Sequence, residues 1–316
     1  MSVAADSGRA APAAGGTSVP SAAGRQDWPS LPRRDRPRWT PAVFAIRAPI
    51  PRRSRWILNS LSLLTPLGVW LALTATHAVD GRFLPSPLAV WNAGSEMARS
   101  SDCARNQSWL EKLLGIQSCL LSDTVWTTQR IVLGFALALM VSVPLGIVMG
   151  TFRAGQALLE PMIALLRYLP AVAFTFLVII WLGIEEQPKI AVIFLGTVFF
   201  NTVMTADAVR NVPMTLIDVS YTLGARRGEV LRKVIIPHAL PSMVDAARVN
   251  IAAAWNLVVV AEVLGAAAGL GYRINKAQRG PQMDKVFAIL VVIALTGVVL
   301  DVALRLIRER VGRWVA

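Results

Sequence analysis

Six apolar runs of about 20 residues constrain this chain more than any other feature, because about 20 helical residues cross a hydrocarbon core of about 30 Å. They cover residues 56–76, 125–150, 157–182, 190–209, 243–265 and 286–307. The predicted class is therefore an all-α integral membrane protein with six transmembrane helices. Composition supports this, since 54% of the 316 residues are hydrophobic and 16% charged. Too few polar side chains remain to give a soluble domain of this length its exterior.

The formal net charge of +13 is placed for a membrane rather than for a nucleic acid. Basic residues gather in the N-terminal tail (Arg33, Arg34, Arg36, Arg38, Arg52, Arg53, Arg55), around residues 226–233, and near the C-terminus (Arg305, Arg308, Arg310, Arg313). All lie beside apolar runs, as the positive-inside rule requires. No basic stripe is interleaved with aromatics, which argues against a nucleic-acid surface. An even number of spans puts both termini on the cytoplasmic side of a bacterial inner membrane. Arg273, Lys276 and Arg279 run against that topology from the last external loop, but the early spans dominate orientation.

Residues 1–50 are rich in Ala, Gly, Ser, Pro and Arg without apolar periodicity and are read as a disordered basic cytoplasmic tail. Residues 51–316 are read as the six-helix transmembrane domain. Within it, residues 79–123 form an external segment that opens, from Ser86, with an amphipathic helix lying on the bilayer surface. Cys103 and Cys119 fall in this segment. They either form a disulfide, worth about 3 kcal/mol for a ring of this size, or stand as two unpaired thiols.

Catalysis finds little material. His77 and His238 are the two histidines, neither in an HExxH arrangement, and no Walker A loop is present. No catalytic residue, metal site or cofactor is expected for this chain, and so it is not expected to be an enzyme. The informative stretch is residues 211–241, between the fourth and fifth spans. Residues 218–234 read as a helix pair turning at Gly224, with Val230, Leu231 and Val234 at helical spacing. A glycine there permits a tight turn, and Pro237 and Pro241 are expected to interrupt the helix where the chain re-enters the membrane. A short basic helix framed in this way suits docking into a groove on a partner.

Asp218, followed by Gly224 and then Pro237, resembles the cytoplasmic signature of ABC importer permeases, the Glu-Ala-Ala motif. Asp218 stands in place of the glutamate, Ser220 in place of the second alanine, and Val234-Ile235-Ile236-Pro237 in place of the Ile-x-Leu-Pro ending. The resemblance runs from about residue 84 to the C-terminus. Leu84-Pro85-Ser86-Pro87, Arg167-Tyr168-Leu169-Pro170, Trp181-Leu182-Gly183-Ile184, Leu223-Gly224-Ala225, Ala261-Glu262 and Gly269-Leu270-Gly271-Tyr272 follow the order of that family's nitrate/sulfonate/taurine/bicarbonate branch. The resemblance implies a type I permease fold and a homodimer. It also implies two cytoplasmic ABC ATPase subunits that use ATP and magnesium, and an extracytoplasmic substrate-binding protein. The coupling residues it implies are Asp218, Leu223, Gly224, Ala225, Arg226, Arg227 and Pro237.

Polar residues inside spans are costly in lipid and therefore mark candidates for a pathway. These are Asn201, Thr202 and Thr205 in the fourth span and Arg248, Asn250, Trp255 and Asn256 in the fifth; Arg248 is placed to attract an anion. The competing role for each is an interhelical hydrogen bond or an interface anchor, and Glu262 reads as a structural group. Gly146 and Gly150 offer a small-xxx-small face for close helix approach. The functional expectation is import of a small anion by alternating access. The alternatives are the same machinery carrying a thiamine-precursor-like solute, a stand-alone carrier, or an intramembrane enzyme.

Overall fold

The computed structural model describes residues 51–100, 115–116, 118–280 and 282–312. The N-terminal tail, Cys103, most of the 100–122 insertion and Arg313 lie outside these residues. The chain divides into two units, residues 1–65 and 66–316. The described part of the first is the leading half of helix α1 (Arg52–Ala75), whose side chains are largely exposed. No strand occurs among the described residues.

The second unit continues α1 and adds α2 (Pro87–Arg99). The Ser86 hydroxyl accepts from the Ala89 N–H at 3.2 Å, and Pro87 sits in the first turn, where a missing N–H costs nothing. The sequence Leu84-Pro85-Ser86-Pro87 is thus the start signal of the expected external helix. It buries Val90, Ala93 and Met97 and leaves Leu88 and Trp91 exposed, as a helix at a bilayer surface requires.

Helices α3 (Cys119–Thr151) and α6 (Gln187–Arg210) form the heart of the bundle. Gly134, Ala138, Ser142, Gly146 and Gly150 recur every fourth residue and line one side of α3. A Cβ built at Gly134 would lie 2.8 Å from Ile193 Cβ, at Gly146 2.5 Å from Thr205 Cβ, and at Gly150 2.7 Å from Val209 Cβ. Contact positions rise together along both helices, so the two run parallel at close range. Without a hydrophobic drive between helices in lipid, such small-residue approach is what makes the packing favourable. Gly146→Val in the full-length chain is expected to lower the melting temperature in detergent, by an amount matching the 1–3 kcal/mol typical of overpacking (about 2 kcal/mol). An unchanged melting curve would contradict this packing.

Between the parallel pair the chain must return through the same thickness. It does so as α4 (Arg153–Leu166), a 3-10 turn over Ala171–Phe174, and α5 (Thr175–Leu182), with a bend of 76° between α4 and the following helical stretch. The single span expected over 157–182 is therefore a broken one. The break falls at Arg167-Tyr168-Leu169-Pro170, because Pro170 denies the helix an N–H and drives Leu169 out of helical conformation. Among the described residues five helices are long and apolar enough to cross a bilayer, and counting the bent pair as one span makes six.

Past α6 come α7 (Met214–Thr222), α8 (Arg227–Val230), a π-turn over Leu231–Ile235, and α9 (Ile236–Gly265). Pro237 and Pro241 were expected to interrupt the helix; the α pattern does break before Pro237, which lies in the first turn of α9, but α9 runs through Pro241. The π-turn ends at Ile235, two residues before Pro237. Its wider loop relieves the clash between the proline ring and the carbonyl four residues back, so the axis continues. Helix α10 (Leu270–Arg279) caps the end of α9, and α11 (Met283–Val311) returns along it. Trp255, Val258, Leu270, Ile274 and Ile289 belong to the main core between them.

Candidate functional site

The residues expected to couple to a partner stand at the end of the bundle where α3 and α6 finish. Helix α7 ends in a Schellman motif: the Ala225 N–H donates to the Ser220 carbonyl at 3.0 Å, and the Gly224 N–H to the Tyr221 carbonyl at 2.9 Å. The motif needs a left-handed residue, and Gly224 has φ +83°. Arg226 is extended and starts α8, where its backbone N–H donates to Glu229 Oε2 at 3.0 Å. Val230 is buried and pins α8 to the bundle beside Ile235 and Val212.

Most of the segment before that anchor faces outward, with Ile217 and Ala225 packed against the bundle. Leu223 is 82% exposed, and Met214, Leu216, Val219 and Tyr221 are exposed with it. Asp218, Gly224, Arg226 and Arg227 share the exposed surface; Ala225 is half-buried, and Pro237 lies behind in the first turn of α9. An apolar ridge rimmed by arginines at a rigid turn has the composition of a docking surface.

The pathway candidates divide. Asn250 Nδ2 donates to Asn201 Oδ1 at 2.7 Å, joining α9 to α6, and both residues are buried. Thr202 bonds back to the Val198 carbonyl at 2.7 Å, and Thr205 packs on Gly146. Asn201, Thr202, Thr205 and Asn250 are therefore engaged in helix packing. Trp255 is buried at 8% exposure, while Asn256 is exposed. Arg248 binds Asp301 of α11 through both ends of its guanidinium, with Nη2 donating to Oδ2 at 2.8 Å.

At the opposite end of the bundle lies a network that the sequence reading reached only through Glu262. Arg130 is 1% exposed. Its Nε and Nη2 grip Glu186 at 2.5 and 2.9 Å, while Nη1 donates to Glu262 at 2.5 Å and to the Ala268 carbonyl at 2.7 Å. Thr127 donates to Glu262 at 2.9 Å and accepts the Leu270 N–H at 2.9 Å. The Gly271 N–H donates to Glu262 at 2.8 Å, and Asp123 receives the Gly269 N–H at 2.8 Å and the guanidinium of Arg273. Burial opposes ionisation of Glu186, yet Arg130 and Lys189 outweigh it and hold its carboxyl below the ordinary carboxylate range.

This arrangement explains Gly269-Leu270-Gly271. A Cβ on Gly269, which has φ +114°, would lie 2.5 Å from the Glu262 carboxyl carbon, and one on Gly271 2.6 Å from the Val259 carbonyl oxygen. The glycines let the loop close over the carboxylate; they cradle no phosphate. The network also accounts for Arg273, one of the three charges that ran against the topology. It balances a buried aspartate. Charges inside apolar runs (Arg130 and Asp301) were the available signal for what the sequence reading missed. Among the described residues no cluster of His, Cys, Asp and Glu fits a metal ion. Cys119 is buried at the start of α3; Cys103, the other half of the choice between a disulfide and two thiols, lies outside the described residues.

Comparisons with known proteins follow this geometry. Residues 142–313 match the model of the family described as binding-protein-dependent transport system inner membrane component. The taurine transport system permease protein of Escherichia coli (strain K12) is 32% identical over 276 residues, covering 85% of this chain and 92% of that one. A Brucella melitensis protein that carries an ABC transporter permease name is 34% identical over 257 residues, 81% of this chain and 96% of that one. Among solved structures, the methionine ABC transporter in inward-facing conformations aligns with a TM-score of 0.55 at 21% identity. That alignment covers 64% of this chain and 99% of the other, and it shows a shared fold.

Proposed function

Because the chain belongs to the family of binding-protein-dependent transport system inner membrane components, we propose that it is the membrane-spanning subunit of an importer, driven by separate ATPases, that carries a small anion such as taurine or another sulfonate, nitrate or bicarbonate. Two copies enclose the pathway. Each offers the Leu223-Gly224-Ala225 turn, with Asp218, Arg226 and Arg227 around it, to a cytoplasmic ABC ATPase that binds ATP and magnesium. An extracytoplasmic binding protein delivers the cargo to the opposite end, and both termini lie in the cytoplasm. Closure of the ATPases draws the two turns together and switches the spans between inward- and outward-open packings.

The observation that carries this reading is the rigid Gly224 turn, which exposes an apolar ridge at one end of a bundle of apolar spans. The taurine relative and the ordered branch motifs support the choice of cargo. The test is reconstitution in proteoliposomes with the neighbouring ATPase and binding protein, followed by uptake of labelled taurine, ethanesulfonate, nitrate and bicarbonate. ATP-dependent accumulation of one of them is expected. Accumulation of none, or accumulation without ATP, would overturn the reading.

A further inference from the structure

The pairing of Arg248 with Asp301 carries the account further. Arg248 lies five residues, roughly 8 Å, inside the fifth apolar run, and Asp301 lies six residues before the end of the sixth. Two charges at that depth are expensive unless they face protein or water. Their side chains are nonetheless 34% and 41% exposed. Large apolar side chains cover the lipid-type side of α11, with Leu295, Val298, Val299 and Val302 all exposed. The exposed side of α9 carries Val249 beside Arg248, 65% exposed, and then turns small and polar with Ala252, Ala253 and Asn256. A half-open charge pair leading to that small, polar stretch belongs at a wet boundary rather than against acyl chains.

A second feature points to the same place. Trp255 follows Arg248 by two helical turns and so lies on the same side of α9. Its indole N–H is buried and has no hydrogen-bond partner. It lies 3.6 Å from the position a Cβ would take on Gly297, one turn from Asp301 on α11. Buried donors are normally satisfied. An unused N–H on the same side of the helix, about 10 Å along the axis from Arg248, suits an oxyanion that has passed the guanidinium. Other charges along this helix pair sit nearer the helix ends and pair among themselves, Arg308 with Asp245 at 3.0 Å and Arg305 with Glu309 at 3.2 Å.

We propose that Arg248 is the anion-binding group of the translocation pathway, and that Asp301 is its resident counter-ion, displaced when a cargo oxyanion arrives and restored when it leaves. The inference rests on the reading of the chain as an anion importer. It assigns that importer a site for a singly charged oxyanion. A fixed carboxylate keeps the arginine neutralised when the pathway is empty and weakens cargo binding enough to permit release. The planar guanidinium fork, which can hold two oxygens at once, suits carboxylate and sulfonate geometry alike.

The test is equilibrium binding of radiolabelled ethanesulfonate to the full-length permease in lipid nanodiscs, with dimethyl sulfone as a neutral competitor. Asp301→Asn removes the competing charge at constant size and is expected to tighten binding by about tenfold. Arg248→Gln is expected to abolish saturable binding, and the sulfone to displace nothing. The double variant Arg248→Gln with Asp301→Asn keeps a hydrogen-bonded neutral pair; it is expected to melt like the native chain and to bind no ethanesulfonate. Unchanged or weaker binding in Asp301→Asn, or native binding in either variant lacking Arg248, would overturn the proposal. Failure of the importer reading shows elsewhere: uptake of no anion from the panel removes the cargo class, whereas ethanesulfonate binding that ignores Arg248 removes only this site.

Discussion

Gly224→Trp is expected to abolish ATP-coupled uptake while the permease still folds and inserts. Gly224 is the left-handed residue of the turn that ends α7, and a side chain there meets nothing within 4 Å. Any non-glycine residue pays a conformational cost of about 1–2 kcal/mol for the positive φ, a local penalty that a six-span bundle absorbs. The indole then projects from the apex of the turn, beside Leu223, into the space a docked partner would occupy. Gly224→Ala separates the two effects, because it carries the same backbone strain without the bulk. Alanine should retain most transport and tryptophan none, with both accumulating normally in the membrane. Equal loss in both variants would trace the effect to the backbone and remove the argument for docking. Normal uptake in the tryptophan variant would remove the coupling assignment itself.

The second large effect is expected at the opposite end. Arg130→Ala leaves Glu186 and Glu262 facing one another without the cation that bridges them, in a site where Arg130 and Glu262 are both 1% exposed. Removing one partner of a buried pair typically costs 3–5 kcal/mol, here about 4 kcal/mol, because the remaining charge stays desolvated and unpaired. Since the network ties α3, the α5–α6 turn, α9 and the α10 loop together, the expected result is a permease that fails to accumulate or melts far below the native chain. Arg130→Met combined with Glu262→Gln removes the cation and one of its carboxylates together and should recover part of that loss. A native melting temperature for Arg130→Ala would mean that water reaches the site and that the network holds nothing together.

The two ends of the molecule were unequally legible in the sequence. Apolar runs separated by polar turns mark span number and boundaries directly, since the bilayer imposes length and hydrophobicity on each span in isolation. The turn proposed for coupling was readable as a turn for a similar reason: Gly224 and Val230 are close in sequence, and local spacing carries the turn and its buried anchor. The bend in the third span was not readable, because the apolar run continues through it and holds both Pro161 and Pro170, either of which can kink a helix. The ion network was hidden by distance along the chain. Arg130 and Glu262 are 132 positions apart, and only packing brings them together. Arg248 drew attention as a lone charge, yet its partner Asp301 sat within the last apolar run and went unremarked. Asn201 and Asn250 were read with two roles open, pathway or interhelical hydrogen bond, and the structure shows the hydrogen bond between them.

The central claim is that this chain moves solute only as part of an ATPase-driven assembly. The measurement that tests it most directly is affinity purification of the intact chain from its native membrane, with the co-eluting proteins identified and ATP hydrolysis assayed against candidate anions. The account predicts an ABC ATPase in the eluate, hydrolysis stimulated by one of those anions together with a binding protein, and loss of the ATPase from the eluate of the Gly224→Trp variant. A chain that elutes alone and still moves or converts a substrate would contradict it.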